Sequence, residues 1–266
     1  MNCRGFTLTE LLVATLLLGL LTAGGLAAWA RGGAAWHEAS IEQLLQERAQ
    51  YVFATLEPEL QMAGYFGPSP PPAALPSTAI PAAAQGCGLE LPQRLDQPVA
   101  VAPAYALPCA ARGGGALPDS AQLTIRRVSA QLTAATAGRA QWLGSASGGR
   151  LVWNDAGTSV AGAAEERRDL LLRVYYVANQ ADGDAATPAL RVKSLSSSAG
   201  APAFIDTEVM PGVEALQAEP LPTPAAPRSL RLTLTVRPDQ GDLRFHEPLR
   251  RLTITREFAL RNAPAD

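Results

Sequence analysis

Residues Leu11 to Ala30 (LLVATLLLGLLTAGGLAAWA) form a run of 20 without a charge, and a glutamate, Glu10, stands directly in front of it. At ~1.5 Å of rise per residue, a helix of that length spans the ~30 Å hydrocarbon core of a bilayer. The rest of the chain must be arranged around this element. A carboxylate at its head costs roughly 2.5 to 3.5 kcal/mol at bilayer depth unless it is compensated, so a chain that keeps Glu10 there has a use for it. A plain anchor and a cleaved secretory signal compete with this reading. A secretory signal is cut after its apolar run, and Ala27-Ala28-Trp29-Ala30 offers a small-residue sequence of that kind.

What precedes the run is more specific. Met1 to Gly5 is short and carries Arg4, and Gly5-Phe6-Thr7-Leu8-Thr9-Glu10 follows. The string RGFTLTELLVA resembles the class III signal of type IV prepilins, in its glycine, its aromatic residue and the glutamate five residues into the mature chain. The resemblance implies that a prepilin peptidase cuts between Gly5 and Phe6 and methylates the new amine of Phe6. It also implies that Glu10 pairs with the N-terminal amine of a neighbouring subunit during assembly. Two opposite charges in a low dielectric are each expensive alone and much less so together. On this reading residues 1–5 are a leader that is removed, and 6–31 are the transmembrane and assembly half of one helix.

Within the span, Thr15, Gly19, Ala23 and Ala27 recur every four residues. They form either a stripe for close helix approach or no more than the local abundance of small residues. Gly19, Gly24-Gly25 and Gly32-Gly33 each weaken the helix by roughly 1 kcal/mol relative to alanine, which would permit the local loss of order that pilin helices show in filaments. Residues 32–63 read as the amphipathic half of the helix. Ile41, Leu44, Leu45, Val52, Phe53, Leu56 and Leu60 fall at helical spacing, with Glu38, Glu42, Gln46, Glu47, Gln50 and Glu57 as the polar complement. Such a stripe needs a sheet to cover it. Pro58 is expected to kink or end the helix near Glu57.

Residues 64–118 are rich in proline, glycine and alanine and read as an irregular connection. Residues 119–266 read as a β-rich head. Gln122 to Val128, Leu170 to Ala178, Leu190 to Ser194, Ser229 to Arg237 and Leu252 to Leu260 have strand character, and Pro238-Asp239-Gln240-Gly241-Asp242 has turn chemistry between the last two. The fold class is α+β: a long N-terminal helix packed on an antiparallel sheet, as in type IV pilins. Of the three cysteines, Cys3 lies in the leader, leaving Cys87 and Cys109. In an oxidising compartment that pair is most simply a disulfide. Zinc is a poor alternative, because no CxxC exists and His37 and His246 are distant in sequence.

Met62-Ala63-Gly64-Tyr65-Phe66-Gly67, then Pro211-Gly212-Val213-Glu214-Ala215-Leu216-Gln217, then a closing strand ending Leu260-Arg261-Asn262, together resemble a PilW-type minor pilin. Pro68 departs from the pattern, since many relatives carry cysteine there, which leaves the match of Cys87–Cys109 to the family's usual bridge open. The resemblance implies a low-abundance subunit at the pilus tip. Its partners would be prepilin peptidase, other minor pilins, the major pilin, a PilY-family tip adhesin and the inner-membrane assembly platform. It implies a single inner-membrane pass with the N-terminus cytoplasmic and the head periplasmic, followed by residence at the pilus tip. The GspJ-like minor pseudopilin of type II secretion shares this architecture, but the proline-rich insertion and the Gly-Tyr-Phe-Gly block favour the pilus.

Other functions lack a footprint. The net charge of -2 and the scattered basic residues argue against nucleic acid as a partner. No Walker loop, GxGxxG or HExxH is present, and Gly157-Thr158-Ser159-Val160-Ala161 is only a near miss for a nucleophile elbow. No enzyme activity and no cofactor are expected. Asn179, Asp182 and Asp184 are weak calcium candidates, because the segment lacks the closing glutamate of a calcium loop and a solvated turn explains it better.

Overall fold

A computed structural model of the chain describes residues 7–153, 162, 164–198, 201–223, 227–239 and 250–262. Helix α1 (Leu8–Gln61) runs unbroken through the glycines of its first half. The chain divides into two compact units, residues 1–44 and 45–266. In the first unit, Leu11 through Gly33 are exposed at every position, including Leu16, Leu20, Leu26 and Trp29. By length and composition this is a helix able to cross a membrane.

The second unit begins where the helix becomes one-sided. Leu45, Ala49, Val52, Phe53, Leu56 and Leu60 are buried, while Gln46, Glu47, Gln50 and Glu57 are exposed. Phe53 meets Phe258 with ring centroids 5.8 Å apart, and the Arg256 guanidinium lies over its ring at 4.9 Å. Pro58, expected to kink or end the helix, lies inside it, and the helix continues to Gln61. Ala54 and Pro58 both lie on the exposed side, so the carbonyl that loses its hydrogen bond to proline can be solvated, and only one turn remains to be tolerated.

Among the described residues, ten strands follow in two antiparallel sheets. The larger holds β1 (Val99–Ala102), β2 (Gln122–Val128), β3 (Ala140–Ser145), β4 (Gly148–Trp153), β5 (Glu166–Ala178), β6 (Ala189–Ser198) and β7 (Ala201–Pro211). Its order is β1-β2-β5-β3-β4, with β6 joining β5 to β7. The smaller sheet is β10 (Leu252–Ala259), β9 (Ser229–Val236) and β8 (Val213–Leu221), in that order. In β9, Leu230, Leu232, Leu234 and Val236 are buried at every second position. A further core forms around Phe66, Leu95, Val128, Trp142, Leu170 and Leu172, with Phe66 and Trp142 edge-on at 5.4 Å.

One detail differs from expectation. The proline-rich connection contains strand β1 and a short helix α2 (Glu90–Gln93), which brings it into the sheet as an edge. Between β9 and β10, Val236 stands opposite Leu252, and of the expected turn only Pro238 and Asp239 are described. Gln240, Gly241 and Asp242 lie outside the described residues.

The blocks that carry the family resemblance hold the fold together. Asn262 donates from Nδ2 to the carbonyls of Gln61 at 3.2 Å and Ala63 at 3.3 Å, closing the C-terminal end of α1. Gly64 has φ +78, and a Cβ there would stand 2.6 Å from the Asn262 carbonyl oxygen. Gly212, at φ +77 between β7 and β8, admits the Arg48 side chain, which donates to the Arg237 carbonyl at 2.9 Å and pairs with Asp239 at 2.7 Å.

Candidate functional site

The helix N-terminus is closed by a reciprocal pair of hydrogen bonds. Thr7 precedes the first helical residue, and its backbone N–H donates to Glu10 Oε2 at 3.0 Å, while the Glu10 N–H donates to Thr7 Oγ1 at 3.4 Å. The Thr7 hydroxyl also donates to Glu10 Oε2 at 3.0 Å. This is a capping box: the first turn of a helix has N–H groups with no partner of their own, and the two side chains satisfy them in exchange. The sequence carries the signature T-x-x-E at Thr7 to Glu10, so Glu10 has a local capping role beside the assembly role that the resemblance implies.

The box accounts for how a carboxylate is tolerated there. The carboxylate sits where the helix dipole favours negative charge, with both bonds from Thr7 taken by Oε2. Among the described residues nothing bonds its Oε1, so that oxygen remains able to accept from a cation outside the chain. Gly5 and Phe6 lie outside the described residues.

Further along, Thr15 bonds its hydroxyl back to the carbonyls of Leu11 and Leu12, each at 3.0 Å, and Thr22 does the same to Leu18 and Gly19. These bonds remove the polar demand of the hydroxyls. A Cβ added at Gly19, Gly24, Gly25, Gly32 or Gly33 would meet nothing within 4 Å. The glycines therefore answer no packing need inside the subunit.

In the head, Cys87 and Cys109 form a disulfide. The loop it closes is held by the Tyr105 hydroxyl, which donates to the Cys109 carbonyl at 2.7 Å, and by the Tyr105–Tyr176 ring contact at 4.9 Å. Below it lies a charged network absent from the sequence reading. Lys193 and Asp206 face each other across β6 and β7 at 2.7 Å, Arg191 meets the same carboxylate at 2.9 Å, and the Tyr176 hydroxyl donates to it at 2.7 Å. Burial opposes ionisation of Asp206. Hydrogen bonds from Lys193, Tyr176 and Arg191 outweigh it and hold the carboxyl below the usual range. Burial, reinforced by the Asp206 carboxylate, pushes the hydroxyls of Tyr105 and Tyr176 well above theirs.

A second network joins helix to sheet: Glu59 pairs with Arg127 at 2.7 Å and Arg173 at 2.6 Å. Neither network has a sequence signature, because strand register and the packing of helix on sheet bring its members together. The three calcium candidates each have partners in the head. Asn179 donates to the Gly114 carbonyl, Asp182 pairs with Arg191, and Asp184 accepts from the Ala186 N–H and the Thr187 hydroxyl.

Residues 1–26 match the family model described as the prokaryotic N-terminal methylation motif. No curated protein and no solved structure matches the chain. The motif implies processing by prepilin peptidase and pilus-assembly partners in general. With the apolar helix and the antiparallel head, it supports a type IV pilin-like or pseudopilin-like protein and fits membrane anchoring with incorporation into a pilus.

Proposed function

We propose that the chain is a minor pilin of the PilW type that helps prime type IV pilus assembly at or near the tip. The observation that carries this reading is the position of Glu10. It is the fifth residue after Gly5, at the head of an uncharged helix, within a matched methylation motif. Cleavage before Phe6 would create an amine, and the free Oε1 of a neighbouring Glu10 would receive it. The charge of each is then compensated inside the filament core.

On this reading the N-terminus is cytoplasmic and the head periplasmic until assembly, which suits a disulfide at Cys87 and Cys109. Its partners are prepilin peptidase, the assembly platform, sibling minor pilins, the major pilin and a PilY-family adhesin. Its role is structural, with no catalysis and no cofactor. Deletion of the gene tests the reading: surface filaments fall several-fold or vanish while protein export continues. Normal filaments with failed export would identify a minor pseudopilin instead.

A further inference from the structure

A cleft of about 420 Å³ opens on the head between the disulfide loop, α2 and strands β1 and β2. That size is within the range of pockets that hold small ligands or a few residues of peptide. On β2 the side chains of Gln122, Thr124 and Arg126 share one face and line the cleft, while Leu123 and Ile125 point into the core. Cys87, Leu107 and Pro108 form the opposite wall, so the disulfide fixes the width of the opening.

Arg126 is 4% exposed. Its Nε donates to the Leu91 carbonyl and its Nη1 to the Gln97 carbonyl, both at 2.8 Å. Buried Arg48, Arg168 and Arg191 each face a carboxylate. Among the described residues Arg126 faces none within ion-pair distance, and nothing bonds its Nη2. Burial lowers its pKa to about 10, against the partial opposing pull of Asp96. The other charges at the cleft are Arg94, engaged by Asp96 at 3.1 Å, and exposed Glu90. Carbonyl oxygens orient a guanidinium but supply no counter-charge, so an anionic acceptor at Nη2 would complete its pairing.

The second wall identifies the shape of that acceptor. β1 is the edge of the larger sheet, paired only with β2 among the described residues, and Ala100, Val101 and Ala102 line the cleft. A sheet edge recruits an extended chain through main-chain hydrogen bonds, and alternate side chains then enter flanking pockets. We propose that this cleft binds an extended peptide segment of a partner protein that adds beside β1 and places a carboxylate on Arg126. The cleft belongs wholly to the head and stands independently of the assembly role of Glu10.

The test uses the full mature chain in detergent micelles, with the Arg126 side-chain Nε–H followed by NMR. Three probes are titrated: a capped Ala-Val-Asp-Ala peptide, its Asn counterpart, and N-acetylaspartate. The Asp peptide is expected to shift the Arg126 signal saturably, with affinity at least about tenfold above the Asn peptide, as for a charge-assisted hydrogen bond. N-acetylaspartate, lacking the backbone, should bind about tenfold more weakly. Glu90→Gln removes the rim charge without touching the fold and should tighten the Asp peptide by about two- to fivefold. Equal shifts with the Asp and Asn peptides, equal affinity for N-acetylaspartate, or no shift with any probe would overturn the proposal.

Discussion

The two units of this chain treat apolar and charged residues in opposite ways. In residues 8–33 leucines and a tryptophan stand exposed, polar hydroxyls bond back onto their own helix, and the one carboxylate is absorbed in a capping box. In residues 45–266 the described leucines, Leu132 apart, are wholly or partly buried, and charged groups are buried with them in pairs and triads. The first pattern is stable only where lipid or other subunits supply the apolar surroundings. The second is that of a water-facing domain whose long helix and sheets are locked by specific ion pairs. One helix, α1, carries both patterns, so the boundary between assembly element and head is written in side chains rather than in backbone.

The contrast is sharpest where removing one charge should damage the head. Glu59→Ala leaves Arg127 and Arg173 without their carboxylate, at 12% and 33% side-chain exposure. The expected cost is about 3 kcal/mol, at the lower end for a broken buried pair because Arg173 reaches solvent. Thermal unfolding of the head checks it, and a loss under about 1 kcal/mol would show that Glu59 is not a structural counter-ion. Replacing Cys87 and Cys109 together by serine reopens a loop of 22 residues and should cost about 3 kcal/mol through the unfolded state, read by denaturant midpoint. Gly212→Ala must force apart Arg48 and the Arg237 carbonyl at a positive φ and should cost about 1 to 3 kcal/mol, again by thermal unfolding.

The pH-dependent part of the Asp206 contribution is a separate effect. The folded-state carboxyl of Asp206 is held below its ordinary value of 3.8, so its contribution is fully present above about pH 4. That contribution is lost only as pH falls through the lower folded-state value. Asp206→Asn should flatten the acid limb of a stability–pH curve and lower the neutral plateau. An unchanged acid limb would remove Asp206 from the account.

Much of the first unit was legible in sequence because its signals are local. An uncharged run, a glycine before an aromatic, and a glutamate at fixed offset need no tertiary contact to be recognised. The capping box was equally local, in Thr7 and Glu10, yet the same glutamate has two physical uses and only one was read. In the head, β2, β5, β6, β9 and β10 announced themselves by alternation. Strands β7 and β8 were hidden by Pro202, Pro211 and Pro220, which their edge positions tolerate, and β3 and β4 by Gly144, Gly148 and Gly149. The networks around Glu59 and Asp206 join residues far apart in the chain, and no sequence spacing encodes them.

The mature N-terminus, determined by intact mass and N-terminal sequencing of protein taken from membranes, tests the central claim most directly. The account predicts a chain beginning at N-methylated Phe6. A chain beginning after Ala30, or one retaining Met1, would contradict it and leave the β-rich head as a secreted or simply anchored domain.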